Sequence, residues 1–242
     1  MTQTEFIAEC KRIFALNDME CADDQAAALF SLTERMLQVN KSMNLTAITE
    51  EKAVILRHYV DSLTISSQIP EGASLIDVGC GAGFPSLPLA IFRPDLRILS
   101  LDGTAKRIAY VAETARILGL TNLTAIAGRA EEYAQKAEYR ESFDVATARA
   151  VANLPILCEL CLPFVKQGGK MLAMKSQQAA EELTAATRCV ELCGGGDVEM
   201  ISQDLTENGE AYEERKLIVI KKLQKTPKIY PRHFSKISKK PL

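Results

Sequence analysis

The chain has 242 residues, 47% of them hydrophobic, with a formal net charge of −2 and seven cysteines. That is enough for one large domain, or one domain with an appendage, around a sizeable core. No apolar run approaches the ~18 residues of a membrane span, and an odd cysteine count fits a reducing compartment, not a disulfide framework.

Met1 to Leu16 interleaves Glu5, Glu9, Lys11 and Arg12 with its apolar residues, unlike a signal peptide, so a cytoplasmic location is expected. Residues 3–16 and 24–39 predict amphipathic helices, with Phe6, Ile13 and Phe14 sharing one face and Leu29, Leu32, Met36 and Leu37 the other. Polar, cap-forming residues from Asn40 to Thr49 break that pattern. Val54, Ile55, Tyr59, Leu63 and Ile65 then recur at helical spacing and predict a third helix from about Glu50 to Ser67. Residues 1–70 therefore read as a helical cap.

From Ser74 onward short β runs alternate with helices. The runs are Leu75–Val78, Arg97–Leu101, Leu123–Ala127, Phe143–Thr147, Lys170–Met174, Asp197–Ser202 and Lys216–Lys222. Helical periodicity lies between them, over Lys106–Leu118, Ala130–Ala137, Leu154–Val165 and Ala179–Leu192. Such alternation predicts an α/β fold with a doubly wound, mostly parallel sheet over residues 71–223. Cys158 and Cys161 have the spacing of a metal or redox pair, but they sit in an apolar helical pattern and read as core thiols. No metal site is expected.

Leu75-Ile76-Asp77-Val78 leads into Gly79-Cys80-Gly81-Ala82-Gly83-Phe84-Pro85 and then an apolar helical run. Strand, glycine loop and helix start make a place where a nucleoside cofactor approaches bare backbone. A dinucleotide fingerprint needs glycine at the sixth loop position. Phe84 stands there, and the third glycine comes one residue early. The Gly-x-Gly-x-Gly form resembles the loop of class I S-adenosylmethionine-dependent methyltransferases; a mere tight strand-to-helix turn is the plainer alternative. Asp102 ends the second run, where an acid can accept both ribose hydroxyls. Ala130 and Glu131 follow the third run, within reach of an adenine edge, and Arg149 follows the fourth.

From Lys216 to Leu242 there are nine Lys/Arg and no acid, which leaves −11 on the remainder against −2 overall. Residues 224–242 read as a basic tail, with Lys228, Arg232, Lys236, Lys239 and Lys240 as RNA contacts. On that reading the tail contributes RNA affinity and leaves the cofactor untouched.

Six motifs in order resemble the glucose-inhibited division protein B (RsmG) family of small-subunit ribosomal RNA guanine-N7 methyltransferases. They are Asn40-Lys41-Ser42-Met43-Asn44-Leu45-Thr46, His58-Tyr59-Val60-Asp61-Ser62-Leu63, Asp77 to Pro85, Gly128-Arg129-Ala130-Glu131-Glu132, Arg149-Ala150-Val151-Ala152 and Tyr230-Pro231-Arg232. The resemblance covers nearly the whole chain. It implies S-adenosyl-L-methionine as cofactor, held by Gly79, Phe84, Ala130, Glu131 and Arg149, to which the reading of the loop and of the second strand end adds Gly81, Gly83 and Asp102, and 16S ribosomal RNA or the 30S particle as substrate. It implies no obligate protein partner.

The chemistry agrees with what is missing. Amine N-methylation commonly uses an Asn/Asp-Pro-Pro-aromatic motif after the fourth strand, where this chain has Ala148-Arg149-Ala150. Guanine N7 carries an exposed lone pair and no proton, so transfer requires alignment and desolvation, and no acid or base is assigned. Arg149 is expected to orient a ligand. His58 and Asp61, at i and i+3, can bond one another, as a structural tie or at the rim of a base pocket. Two other readings stay open: a small-molecule or protein methyltransferase, and an inactive RNA-binding or ribosome-assembly factor on the same fold.

Overall fold

The computed structural model describes residues 1–207 and 210–242. Helix α1 (Gln3–Ala15) opens on a capping box: Glu5 N donates to Thr2 Oγ1 while Thr2 N donates to the Glu5 carboxylate. Helix α2 (Asp23–Met43) runs past the expected break at Asn40 and stops at Asn44, which takes the left-handed conformation (φ 50°) that its short polar side chain tolerates. Asn40 instead brackets the following loop, its amide donating to Thr46 O and accepting from Thr46 N, both at 2.9 Å.

The third helical stretch has the expected extent but is not one regular helix. It is α3 (Glu51–Val54), a π-turn (Ile55–Val60) and α4 (Asp61–Leu63), then a 3₁₀ turn at Ser66–Gln68. An inserted π-turn rotates the residues after it relative to a simple helical wheel, and such turns concentrate at functional sites. Here it carries His58 and leads straight into Asp61.

The α/β unit follows: β1 (Ser74–Val78), α5 (Ser86–Phe92), β2 (Arg97–Asp102), α6 (Ala105–Ile117), β3 (Leu123–Ala127), α7 (Ala130–Tyr133), β4 (Phe143–Arg149), α8 (Leu154–Cys161), β5 (Val165–Lys175), α9 (Ala179–Leu192), β6 (Gly195–Ser202), β7 (Leu205–Glu207), β8 (Glu210–Glu213), β9 (Lys216–Lys222) and α10 (Phe234–Lys239). Seven strands form one sheet in the order β3-β2-β1-β4-β5-β9-β6. The first five are parallel, and β9 pairs antiparallel with both β5 and β6. This is the expected doubly wound sheet. The expected strands are all present, several of them longer than their apolar runs. The small β7–β8 pair was not legible; it is fastened to the cap, with Thr206 N donating to Asn17 Oδ1 at 2.8 Å and Asn17 Nδ2 to Thr206 O at 3.0 Å.

Alternate strand residues feed two cores. Leu75 joins Phe6, Leu29, Tyr59 and Leu172 on the face covered by the cap. Ile76 joins Ala146, Leu157 and Ile218 on the other. Tyr230 and Ile237, from the basic C-terminal segment, belong to that second core, so this segment is packed and not free. All seven cysteines are free and buried, Cys158 and Cys161 included, as core thiols. Among the described residues no helix is long and apolar enough to cross a membrane.

Candidate active site

The chain winds from β1 to β2 and β3, then returns to the other side of β1 with β4 and β5. Loops leaving adjacent strands therefore part at the C-terminal ends of β1 and β4, and a cleft opens there. The glycine loop enters this cleft with Gly79, Gly81 and Gly83 all at positive φ (75°, 57° and 88°), which L side chains resist. Gly79 N and Cys80 N donate to Leu101 O at 2.7 and 3.1 Å, fixing the loop over β2.

The three glycines do different work. A Cβ on Gly79 would lie 2.6 Å from Val151 Cγ2, at the wall of a cavity. A Cβ on Gly83 would strike Leu87 at 2.5 Å and Val111 at 3.3 Å, so this glycine lets α5 and α6 pack closely. A Cβ on Gly81 would meet nothing within 4 Å; its amide donates to Asp102 Oδ2 at 3.0 Å. Asp102 receives Thr104 N through its other oxygen at 2.7 Å. The Asp102 carboxylate thus braces the glycine loop as well as facing the cavity.

That cavity, of about 230 Å³, brings together Gly79, Asp102, Ala130 and Glu131, four of the expected cofactor residues, with Gly128, Arg129 and Val151. Glu131 is 6% exposed and accepts from Arg129 Nε at 3.3 Å. Gly81, Gly83 and Phe84 are not among the residues that line it. Phe84 is buried with its ring stacked on His58, centroids 4.5 Å apart. Beneath the loop Asp77 is fully buried. Ser86 N donates to its Oδ2 at 3.3 Å, Oδ1 has no partner, and burial pushes its pKa up to about 7.

Arg149 lines a second, larger cavity of about 670 Å³ with Arg57, His58, Asp61, Lys175 and Arg215. Its Nη1 donates to Asp61 Oδ2 at 2.7 Å and to Arg57 O at 3.1 Å, and its guanidinium lies 5.2 Å from the Phe84 ring centroid. Val151 and Ala152 line both cavities, so the two lie side by side at the loop after β4.

His58 and Asp61, expected to be able to bond one another, are each engaged elsewhere. Asp61 takes Arg149 on one oxygen and Arg215 Nε, at 3.0 Å, on the other. His58 Nδ1 faces Arg149 Nη2 at 3.4 Å and Nε2 lies 2.9 Å from Thr46 Oγ1. Since a guanidinium only donates, Nδ1 must accept and Nε2–H donates to Thr46. Burial first, and the Arg149 charge second, push the His58 pKa down to about 3, which keeps the ring neutral.

The C-terminal cations divide. Lys228, Lys236, Lys239 and Lys240 are exposed. Arg232 is not such a charge: its Nε and Nη2 close on the fully buried Glu159 carboxylate at 2.9 and 2.7 Å. Lys222 is likewise buried, donating to Leu162 O at 2.7 Å and Thr226 Oγ1 at 2.5 Å. Sequence reading also missed Phe234, a wall of the smaller cavity, and Arg215, the second guanidinium on Asp61. Both interactions are made far along the chain, and no local pattern announces them.

A switch-point cleft, a glycine loop with the third glycine early, and acids after β2 and β3 define a class I methyltransferase. Solved structures agree on the fold. The O-methyltransferase from Bacillus cereus in complex with SAH superposes with a TM-score of 0.52 at 18% identity, covering 79% of this chain and 91% of that one. The family profile GidB, described as rRNA small subunit methyltransferase G, matches residues 25–209, and the chain belongs to that family. Proteins called Ribosomal RNA small subunit methyltransferase G are similar over most of their length. The one from Lactobacillus acidophilus is 39% identical across 100% of both chains, and the one from Lachnoclostridium phytofermentans 46% identical across 86% of this chain and 85% of its own. S-adenosylmethionine is the cofactor of such an enzyme.

Proposed function

We propose that the protein transfers a methyl group from S-adenosylmethionine to N7 of a guanosine in 16S ribosomal RNA, in the cytoplasm, acting on the RNA or the 30S particle. The observation that supports this most is the adjacency of the two cavities at Val151 and Ala152, the smaller lined by the glycine loop and the acids after β2 and β3, the larger by His58, Arg149 and Arg215.

The residues of the smaller cavity suit the cofactor. Gly79 offers bare backbone where any Cβ would intrude. Asp102 and Glu131 offer carboxylates to hydroxyl and amine donors. Beneath the loop, outside the lining of this cavity, the buried Asp77 carboxyl keeps one oxygen without a partner. When bound, S-adenosylmethionine supplies a methyl group already activated on a sulfonium.

What this chain adds is position. Guanine N7 presents its lone pair without losing a proton, so neither His58, held neutral, nor Arg149, always charged, removes one. A bidentate arginine grip on O6 and N7 would occupy the attacking lone pair. Arg149 therefore orients through O6, an RNA phosphate or the cofactor carboxylate, with its fork set by Asp61. The exposed Lys228, Lys236, Lys239 and Lys240 of the C-terminal segment supply sequence-independent affinity for phosphates. Isolated small-subunit particles should accept label from tritiated S-adenosylmethionine, while free guanosine and bulk protein should not. Equal labelling of free nucleoside would place the enzyme among small-molecule methyltransferases instead.

A further inference from the structure

The C-terminal segment folds back against the second core and reaches the smaller cavity. Helix α10 is short, but it is fixed on both sides of Phe234. Ile237 is fully buried in the second core. Ahead of it Arg232 is clamped to Glu159 by its guanidinium and by its backbone N–H at 2.8 Å, and Arg140 Nη1 donates to Tyr230 O at 3.0 Å. Between these anchors Phe234 stands in the wall of the cavity that contains Asp102, Ala130 and Glu131. It is only partly buried: it packs against the second core and also lines the cavity.

Arg129 ties this ring to the rest of the site. Its guanidinium lies 4.6 Å from the Phe234 centroid, and its Nε donates to Glu131 Oε1 at 3.3 Å. A cation over an aromatic ring holds the ring in place and tethers it to the neighbouring carboxylate. An aromatic face beside a buried acceptor suits a flat heteroaromatic base with an exocyclic amine. The ring takes the plane and the carboxylate takes the amine.

We infer that Phe234 is the stacking wall for the adenine of S-adenosylmethionine, and that the C-terminal segment is a cofactor-binding element as well as an RNA-binding one. This rests on the smaller cavity being the cofactor site. It reverses the expectation that the tail leaves cofactor affinity untouched. It also places the adenine wall on the same short helix as Lys236 and Lys239, which are exposed to solvent.

Calorimetric titration of the full chain with S-adenosylhomocysteine and, separately, with adenosine tests it. Phe234→Ala should weaken both ligands by the same factor, about tenfold, the scale of removing one base–aromatic stack. Phe234→Leu, which keeps the apolar bulk and so protects the fold, should lose most of that affinity too. Phe234→Trp should retain it. Gly79→Val serves as the control on the cavity itself. Wild-type affinity in Phe234→Ala or Phe234→Leu, with binding abolished in Gly79→Val, would overturn the role of Phe234 alone. Wild-type affinity in Gly79→Val would overturn the cavity assignment and this inference with it. A loss for S-adenosylhomocysteine but not for adenosine would also overturn it, because the stacking partner would then not be the base.

Discussion

Asp61 Oδ2 accepts from Arg149 Nη1 at 2.7 Å while Oδ1 accepts from Arg215 Nε at 3.0 Å, so one carboxylate on the helical cap holds two guanidiniums at the mouth of the larger cavity. Asp61 is 3% exposed, and both arginines remain partly open to solvent. The cap is thereby joined to the catalytic end of the sheet by charge as well as by apolar packing.

Removing the carboxylate leaves two cations without their shared partner. Asp61→Asn should lower the unfolding free energy by about 3 kcal/mol, near the lower end for breaking a buried pair because the arginines are not sealed off. Arg149→Lys keeps the charge but loses the planar fork, and methyl transfer should fall well below wild type. Cofactor affinity in the same variant then chooses the partner: a matching loss points to the methionyl carboxylate, and retained affinity to the RNA. Wild-type rates in Arg149→Ala would assign Arg149 to the scaffold.

The glycine loop should give two separable phenotypes. Gly79→Val puts a branched side chain into Val151 at the wall of the smaller cavity, and on the proposed assignment should abolish S-adenosylmethionine binding in calorimetry. Gly83→Ala strikes Leu87 and Val111 instead, and should lower stability in urea titrations by about 1–3 kcal/mol, the usual cost of overpacking. A Cβ at Gly81 meets nothing within 4 Å, so loss of binding in Gly81→Ala reports strain at its positive φ or disturbance of the Gly81–Asp102 bond. Undiminished cofactor affinity in a folded Gly79→Val protein would contradict the site.

Much of this was readable in the chain. The strands are apolar runs of helix-separated β residues, and the loop glycines, Asp102 and Glu131 follow strand ends, where parallel sheets place ligands. The π-turn at Ile55–Val60 was invisible, because a helical pattern fixes the apolar face and not the hydrogen-bond register within it. The sum of C-terminal charges was right but its meaning was not uniform. Arg232 and Lys222 close on partners 73 and 60 residues away, and sign counting cannot distinguish them from the exposed lysines. Phe234 was counted only as part of a basic tail, since its place beside Glu131 depends on how that tail folds back.

Two buried groups should give opposite pH dependences. The folded pKa of His58 is depressed to about 3 from 6.5, so the folded state refuses a proton that the unfolded chain takes up. Its stabilising contribution is present above pH 6.5 and is lost as the pH falls toward 3. The folded pKa of Asp77 is raised to about 7 from 3.8, so its contribution is present below pH 3.8 and is lost as the pH rises through 7. His58→Gln and Asp77→Asn should each remove one of these slopes from urea midpoints collected between pH 4 and pH 8. Parallel profiles in wild type and both variants would contradict the burial assigned to these groups.

Replacing Lys228, Lys236, Lys239 and Lys240 with alanine removes exposed cations and leaves the Arg232–Glu159 anchor intact. RNA affinity should fall, and the dependence of log affinity on log salt should flatten by about 0.7 for each single-stranded phosphate no longer neutralised. Arg232→Ala should act differently: it leaves the fully buried Glu159 carboxylate without its guanidinium, so thermal stability should drop while the salt slope changes little. An unchanged slope in the quadruple variant would assign these lysines a role other than phosphate binding.

Small-subunit particles incubated with the enzyme and tritiated S-adenosylmethionine, followed by mapping of the labelled nucleotide, test the proposed reaction most directly. The expected product is a single guanosine in 16S RNA bearing the label at N7, recognised by borohydride reduction of its imidazolium ring and aniline-induced strand scission at that position. Label on an exocyclic amine, a ribose or a pyrimidine would contradict N7 transfer, and a protein that binds S-adenosylmethionine and the particle yet transfers no label would be an RNA-binding factor on a methyltransferase fold.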